Sequence, residues 1–198
     1  GTNPVIIEFT LGEHDLTNKN FIIPDGVIIR GQGDSTILIS GHFTCGVGVG
    51  VGVGVGSGVD VESRVGLVDI AATTSTTDCV STNFFNDLVL KNTIISINKS
   101  SSAKFHRITA KGEPRIYLTS SKNIEFIDCN FQTNIGVIIS KNSNFTIDHC
   151  DLSAQYGPVI HSSCDDTEAG LDSATIIYSN VRAFYSSALF IQNQYMDI

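Results

Sequence analysis

The chain has 198 residues, with 12 Lys and Arg against 20 Asp and Glu, and the resulting net charge of -8 disfavours a phosphate backbone as partner, so no nucleic-acid binding is expected. No apolar run reaches the roughly 18 residues that a membrane span needs, and the chain is long enough for one domain, 1–198, with a continuous core. Trp is absent and Val, Ile, Thr, Ser and Asn abound, a composition suited to short strands joined by polar turns rather than to long amphipathic helices.

The first forty residues contain the strand-like runs Val5 to Phe9, Phe21 to Ile23, Val27 to Arg30 and Thr36 to Ile39. They are separated by LGEHDL, PDG and GQGD, which are turn chemistry with positive-φ glycine and preset-φ proline. Gly31-Gln32-Gly33 reads as a tight turn rather than a phosphate loop, because no helical pattern and no Lys-Ser/Thr pair follow it. The phrase IIPDGVIIRGQGDSTILI resembles the first coils of the pectin-lyase-like superfamily of right-handed parallel β-helices. That resemblance implies a fold more than an activity, since the superfamily holds lyases, hydrolases, phage tailspikes, adhesins and virion proteins.

From 46 to 58 the sequence is GVGVGVGVGVGSG, a low-complexity tract that puts Val on one face of a ribbon and hydrogen on the other. It reads as an expansion in a loop that tolerates insertion, outside the regular coils, with a strand docking on a partner edge as the alternative. Strand patterning recovers in VGLVDIA and NFFNDLVLKNTIISI, where Leu88, Leu90, Thr93 and Ile95 show inward spacing, although they stand only 15 residues before the next copy.

The second half carries the decisive pattern. NIEFIDCNF (Asn123 to Phe131) returns 21 residues later as NFTIDHCDL (Asn144 to Leu152), matching Ile124 with Phe145, Phe126 with Ile147, Cys129 with Cys150 and Phe131 with Leu152. The same step backwards reaches Ala103, Phe105, Ile108 and Ala110, and a step of 29 forwards reaches Ala174, Ile176, Ser179 and Val181. Each copy holds two short alternating strands that meet at a corner, followed by a further apolar run: RIYL, GVII, GPVI or SALF. Three strands per repeat, with no room for a helix, predict an all-β right-handed parallel β-helix of about 21 residues per coil. Gly1 and the sole Met196 suggest a piece of a longer polypeptide. The five cysteines lack CxxC or zinc spacing, so no metal is expected, and Cys129 and Cys150 read as stacked buried free thiols.

Residues 21 apart lie one above another, which defines outward columns: Lys104, Glu125 and Thr146; Arg107, Asp128 and His149; Thr109, Asn130, Asp151 and Asn180. Glu125, Asp128, Asp151 and His149 are the catalytic candidates, because paired carboxylates on such a flank can act as proton donor and base on a polysaccharide. The opposite charges at coil spacing, Lys104 with Glu125 and Arg107 with Asp128, equally make a solvated salt ladder. As binding residues the same columns offer Asn130, Asp151 and His149. A second surface is expected where Tyr117, Ile138, Val159 and Ala188 form an outward apolar stripe.

The polygalacturonase-type hydrolases of the superfamily that the chain resembles carry Asn-Thr-Asp, Asp-Asp, Gly-His-Gly and Arg-Ile-Lys, and only Asp165-Asp166 stands here. Arg107 and Arg182 lack the surroundings of a lyase base. The expected function is therefore a structural or receptor- and glycan-binding module of a virus particle, a spike, fibre or capsid-associated protein, needing no cofactor. Its partners would be other virion proteins or further copies in a trimer, or a cell-surface polysaccharide. The alternatives are a tailspike-type polysaccharide lyase or glycosidase, and a secreted or cell-surface bacterial adhesin.

Overall fold

The computed structural model describes residues 5–23, 26–45, 66–68, 82–98, 102–163, 173–192 and 195–197. Every regular element among them is a β-strand, and every strand pairing is parallel. The strands form one 13-stranded and one 8-stranded sheet, and each strand pairs with its equivalent in the next coil, so the fold is a parallel β-solenoid. The first sheet carries the two short strands of each copy, such as Ile124–Ile127 and Asn130–Thr133, and the second carries the third strand, Ile138–Lys141.

Stacking of like on like organises the core. Phe85, Phe105 and Phe126 lie in register on successive coils, with ring centroids 5.0 and 4.7 Å apart and planes within 10° of parallel. This matches the strand spacing of about 4.8 Å, so the backbone ladder sets the aromatic contact. Ile124, Phe131, Phe145, Ile147 and Leu152 are buried as the repeat predicts, as is Ile176, while Val181 is half-buried against the same core.

The corner cysteines belong to a hydrogen-bonded column. The N–H of Cys129 donates to Cys150 Sγ at 3.4 Å, and the N–H of Cys150 donates to Ser179 Oγ at 3.0 Å. Cys150 Sγ lies within reach of the carbonyls of Asp148 and Phe126, and Ser179 Oγ donates to the Ile177 carbonyl at 2.7 Å. Thiol and hydroxyl therefore do the same work, satisfying one corner N–H of the preceding coil. Cys45 is buried, Cys129 and Cys150 are buried free thiols, and burial, then the Cys150 thiol beside it, pushes Cys129 well above the ordinary cysteine range.

Two registers differ from the sequence reading. Phe85 pairs with Phe105, Leu88 with Ile108 and Leu90 with Ala110, a step of 20 rather than 15. Asn83 stands opposite Ala103, so a polar residue at the first position of that copy hides its pattern. Thr93 and Ile95 belong to the following corner and third strand, where Ile95 pairs with Ile116.

The third strand steps by 22, with Ile116 opposite Ile138 and Ile138 opposite Ile160, while the first two strands step by 21. The corner from Thr133 to Ile138 holds one residue more than its equivalent from Gly112 to Ile116. A one-residue slip exchanges the faces of a strand. Ile138, expected on the outside, is consequently buried at 0% exposure. Val159, also expected outside, is buried at 0% in the corner just before the strand Ile160–Ser163, as is its equivalent Val137, and Ala188 is half-buried. The outward column is instead Tyr117, Ile139, His161 and Phe190. That longer corner packs closely: a Cβ on Gly136 would fall 1.8 Å from the Pro158 carbonyl oxygen.

Strands before Cys45 pair directly with strands after Thr82, so the stack is continuous across the interval between them. From that interval, Gly66–Val68 pairs with Lys19–Phe21, on the side opposite His42–Cys45, and covers an otherwise unpaired sheet edge. The tract 46–58 lies outside the described residues.

Phe126→Ala removes one ring of the stack and is expected to lower unfolding stability by about 3–5 kcal/mol, read from the denaturant midpoint. Cys150→Ser should leave stability nearly unchanged, because Ser179 already fills the equivalent position in the following coil. Cys150→Ala leaves the Cys129 N–H without its acceptor and should cost about 1–2 kcal/mol by the same measurement.

Candidate functional site

In the five coils that begin at Thr82, Ser102, Ile124, Phe145 and Ser173, the corner between the first two strands is closed by one residue in the left-handed region: Asp87, Arg107, Asp128, His149 and Tyr178, with φ between 47° and 55°. Asp and His are enriched in this conformation among non-glycine residues, but Arg and Tyr adopt it at a cost of about 1 kcal/mol or more. All but the half-buried Asp87 are exposed, so the corner projects a column of functional groups.

The predicted columns are in register as the repeat required, with Lys104 opposite Glu125 and Thr146, and Thr109, Asn130, Asp151 and Asn180 in line. Lys104 Nζ meets Glu125 Oε2 at 2.7 Å. The expected Arg107–Asp128 pair does not form. Arg107 turns to the other neighbouring coil and holds both carboxylate oxygens of Asp87, its Nη2 donating at 2.7 Å. Asp128 meets His106 Nε2 at 3.4 Å instead. With acidic residues on both sides, the guanidinium takes the one whose carboxylate accepts two parallel bonds. These bonds hold the Asp87 carboxyl below its ordinary range and raise Arg107 above its own.

His149 is bonded through Nδ1 to Asp148 Oδ1 at 2.7 Å, and its ring lies 5.2 Å from that of Tyr178. Among the described residues no hydrogen bond links any two of Glu125, Asp128, His149 and Asp151. The four candidates share a flank without forming one constellation.

Asp151 alone of the four lines an open groove of about 600 Å³. Its floor is the outward face of the second strand in three successive coils, where Gln132, Ser153 and Arg182 stand in line beside Asp151. Arg182 Nη2 donates to Asp151 Oδ1 at 2.6 Å, with both side chains well exposed. The wall is the stacked turn that follows: Asn134, Gln155 and Phe184 occupy equivalent positions, then Tyr185. The stack is held by backbone bonds from Gln155 N to Thr133 O and from Tyr185 N to Gln155 O, at 3.0 and 3.1 Å. Phe184 and Tyr185 are 72% and 73% exposed, and Tyr185 stacks on Tyr156 with centroids 5.4 Å apart.

Asn130 stands in line beside this groove, whereas of the second predicted surface Tyr117 and Ala188 are half-buried and Ile138 and Val159 are fully buried. Gln132, Ser153 and Arg182 were accessible from the same 21- and 29-residue steps that aligned Asp151. The turn aromatics were not, because they lie beyond the repeating strand pattern. Among the described residues no cluster of three or more His, Cys, Asp or Glu is arranged to hold a metal ion. Asp165-Asp166 lies outside the described residues. No described helix is long and apolar enough to cross a membrane.

The chain matches no protein-family model, no curated protein and no solved structure in comparisons with each. The fold class therefore rests on the parallel stacking itself.

Asp87→Asn keeps a residue that accepts the left-handed corner but removes the ion pair with Arg107. A carboxyl whose pKa is depressed on folding contributes stability above its unfolded value, about 3.9, and loses it as pH falls through the folded value. The melting temperature of the variant should thus lie below that of the parent at neutral pH, and the gap should close below about pH 4. A gap that persists unchanged into acid would show that the pair contributes nothing.

Proposed function

We propose that the chain is a recognition module of a virus particle, a spike, fibre or capsid-associated β-solenoid that holds a glycan or a partner surface without cleaving it. The observation that carries this reading is the pairing of the flank carboxylates. Glu125 is bound to Lys104 at 2.7 Å and Asp151 to Arg182 at 2.6 Å. A proton donor needs surroundings that favour the protonated carboxyl, and a bonded cation works against that. Recognition asks less: hydrogen-bonding side chains on a flank that does not move, which the strand ladder supplies.

Two further features support an extracellular structural role. The outward column Tyr117, Ile139, His161 and Phe190 offers a continuous half-apolar surface on the second sheet, suited to another virion protein or a further copy of the chain in a trimer. The likeness of the first coils to the pectin-lyase-like superfamily, in which virion proteins and tailspikes occur, points the same way. A depolymerase of tailspike type is the competing reading, because Asp151 lies in a groove.

Incubation with acidic and neutral polysaccharides, following reducing ends and unsaturated products while binding is measured separately, distinguishes the two. Binding without product is the expected result. Product formation that disappears in Glu125→Gln or Asp151→Asn would overturn the reading in favour of an enzyme.

A further inference from the structure

The groove has a particular electrical character. Among the described residues its charged lining consists of one acid and one base, Asp151 and Arg182, already joined to each other, and the rest is amide, hydroxyl and aromatic. The pair is not used up by this bond. Only Oδ1 of Asp151 and one guanidinium nitrogen are engaged among the described residues, and the side chains remain 43% and 60% exposed. A free acceptor and free donors thus stand side by side, aimed into the groove.

We propose that the groove binds an uncharged pyranose chain, a vicinal diol of one sugar bridging Asp151 and Arg182 while the ring lies on Tyr185. This rests on the recognition reading above and names its ligand. Neighbouring hydroxyls each donate and accept, so one donates to the free carboxylate oxygen and the other accepts from the guanidinium. Both are charge-assisted bonds, roughly twice as strong as neutral ones.

An anionic sugar fits less well. Asp151 already compensates the one cation in the groove, and the chain's net charge of -8 repels a polyanion. A cationic ligand meets the reverse difficulty, since Arg182 compensates the one acid.

The aromatic wall supplies what a purely polar groove would lack. Tyr185 is held by its stack on Tyr156, at an interplanar angle of 19°, so its exposed face is offered with little ordering left to do on binding. Pyranose rings present C–H groups on one face and hydroxyls at the edge, matching an aromatic wall above a floor of Gln132, Ser153 and the ion pair. Those floor residues recur at the coil spacing of about 4.8 Å, in line with the solenoid axis. The ligand is therefore an extended chain running across coils rather than a single sugar.

The test uses the full chain with neutral oligosaccharides (gluco-, manno- and galacto-types), with polygalacturonate and polysialic acid, and with a proline-rich peptide that could also stack on tyrosine. Affinity is measured by calorimetry at low and high salt, and melting temperature verifies each variant's fold. A neutral oligosaccharide should bind with affinity nearly independent of salt. Tyr185→Ala and Arg182→Gln should each weaken it by about tenfold or more, whereas Lys122→Gln, outside the groove, should not. Asp151→Asn gives the sharpest readout: it releases Arg182 from its partner, so binding of the neutral chain should fall and binding of the uronate should appear.

Tighter binding of the acidic polymers by the parent would overturn the assignment of a neutral ligand while leaving the recognition reading intact. Neutral binding that ignores the groove variants would move the site elsewhere. Binding of the peptide alone would replace the sugar with a protein partner, and binding of no glycan and no peptide would remove both this inference and the groove-based recognition reading.

Discussion

The interaction on which the rest depends is the hydrogen-bonded register of each coil on the next. Once Ile124 is opposite Phe145 and Asn130 opposite Asp151, every side chain between them stands above an equivalent one at the strand spacing. Inside, that spacing suits flat rings, and the Phe85, Phe105, Phe126 column uses it. Outside, the same spacing places opposite charges at salt-bridge distance, as in Lys104 with Glu125 and Arg182 with Asp151. Core stability and surface chemistry are thus two faces of one ladder.

Corners make the ladder three-dimensional, and they need special chemistry because they interrupt the strand pairing that satisfies backbone groups between coils. The column Cys129, Cys150, Ser179 answers one such need with small side chains that accept from the N–H of the preceding coil. The left-handed corner residues answer another by turning the chain in a single step. Where this position carries Arg107 or Tyr178 instead of Asn or Gly, the backbone bears a local strain that the surrounding pairing holds in place. The flank columns therefore rise from the corners of each coil, while the aromatic wall of the groove comes from the longer turn beyond the second strand.

The contents of the first sheet were legible because its strands repeat at a constant interval and its core positions are almost all apolar. A 21-residue step correctly aligned Glu125, Asn130 and Asp151 with their neighbours above and below. It failed where a corner changed length. The extra residue between Thr133 and Ile138 turned Ile138 inward, a further one before Ile160 left Val159 in the buried corner ahead of the strand, and the apolar runs there gave no alternation that could reveal the slips. The copy beginning at Asn83 was hidden for a different reason, since a polar residue in register with Ala103 let a neighbouring corner imitate the repeat. Charge pairing was likewise only half determined, because Arg107 had an acid on each side and geometry chose Asp87.

Sequence by itself determined the solenoid class, the inward columns of the first sheet and the identity of the outward columns on its flank, because periodic burial leaves a periodic trace. Tertiary structure decided the parity of the second sheet, the partner of each charged group and the existence of a groove. These depend on corner lengths and on turns stacking from separate coils, and neither has a period that a single chain can display.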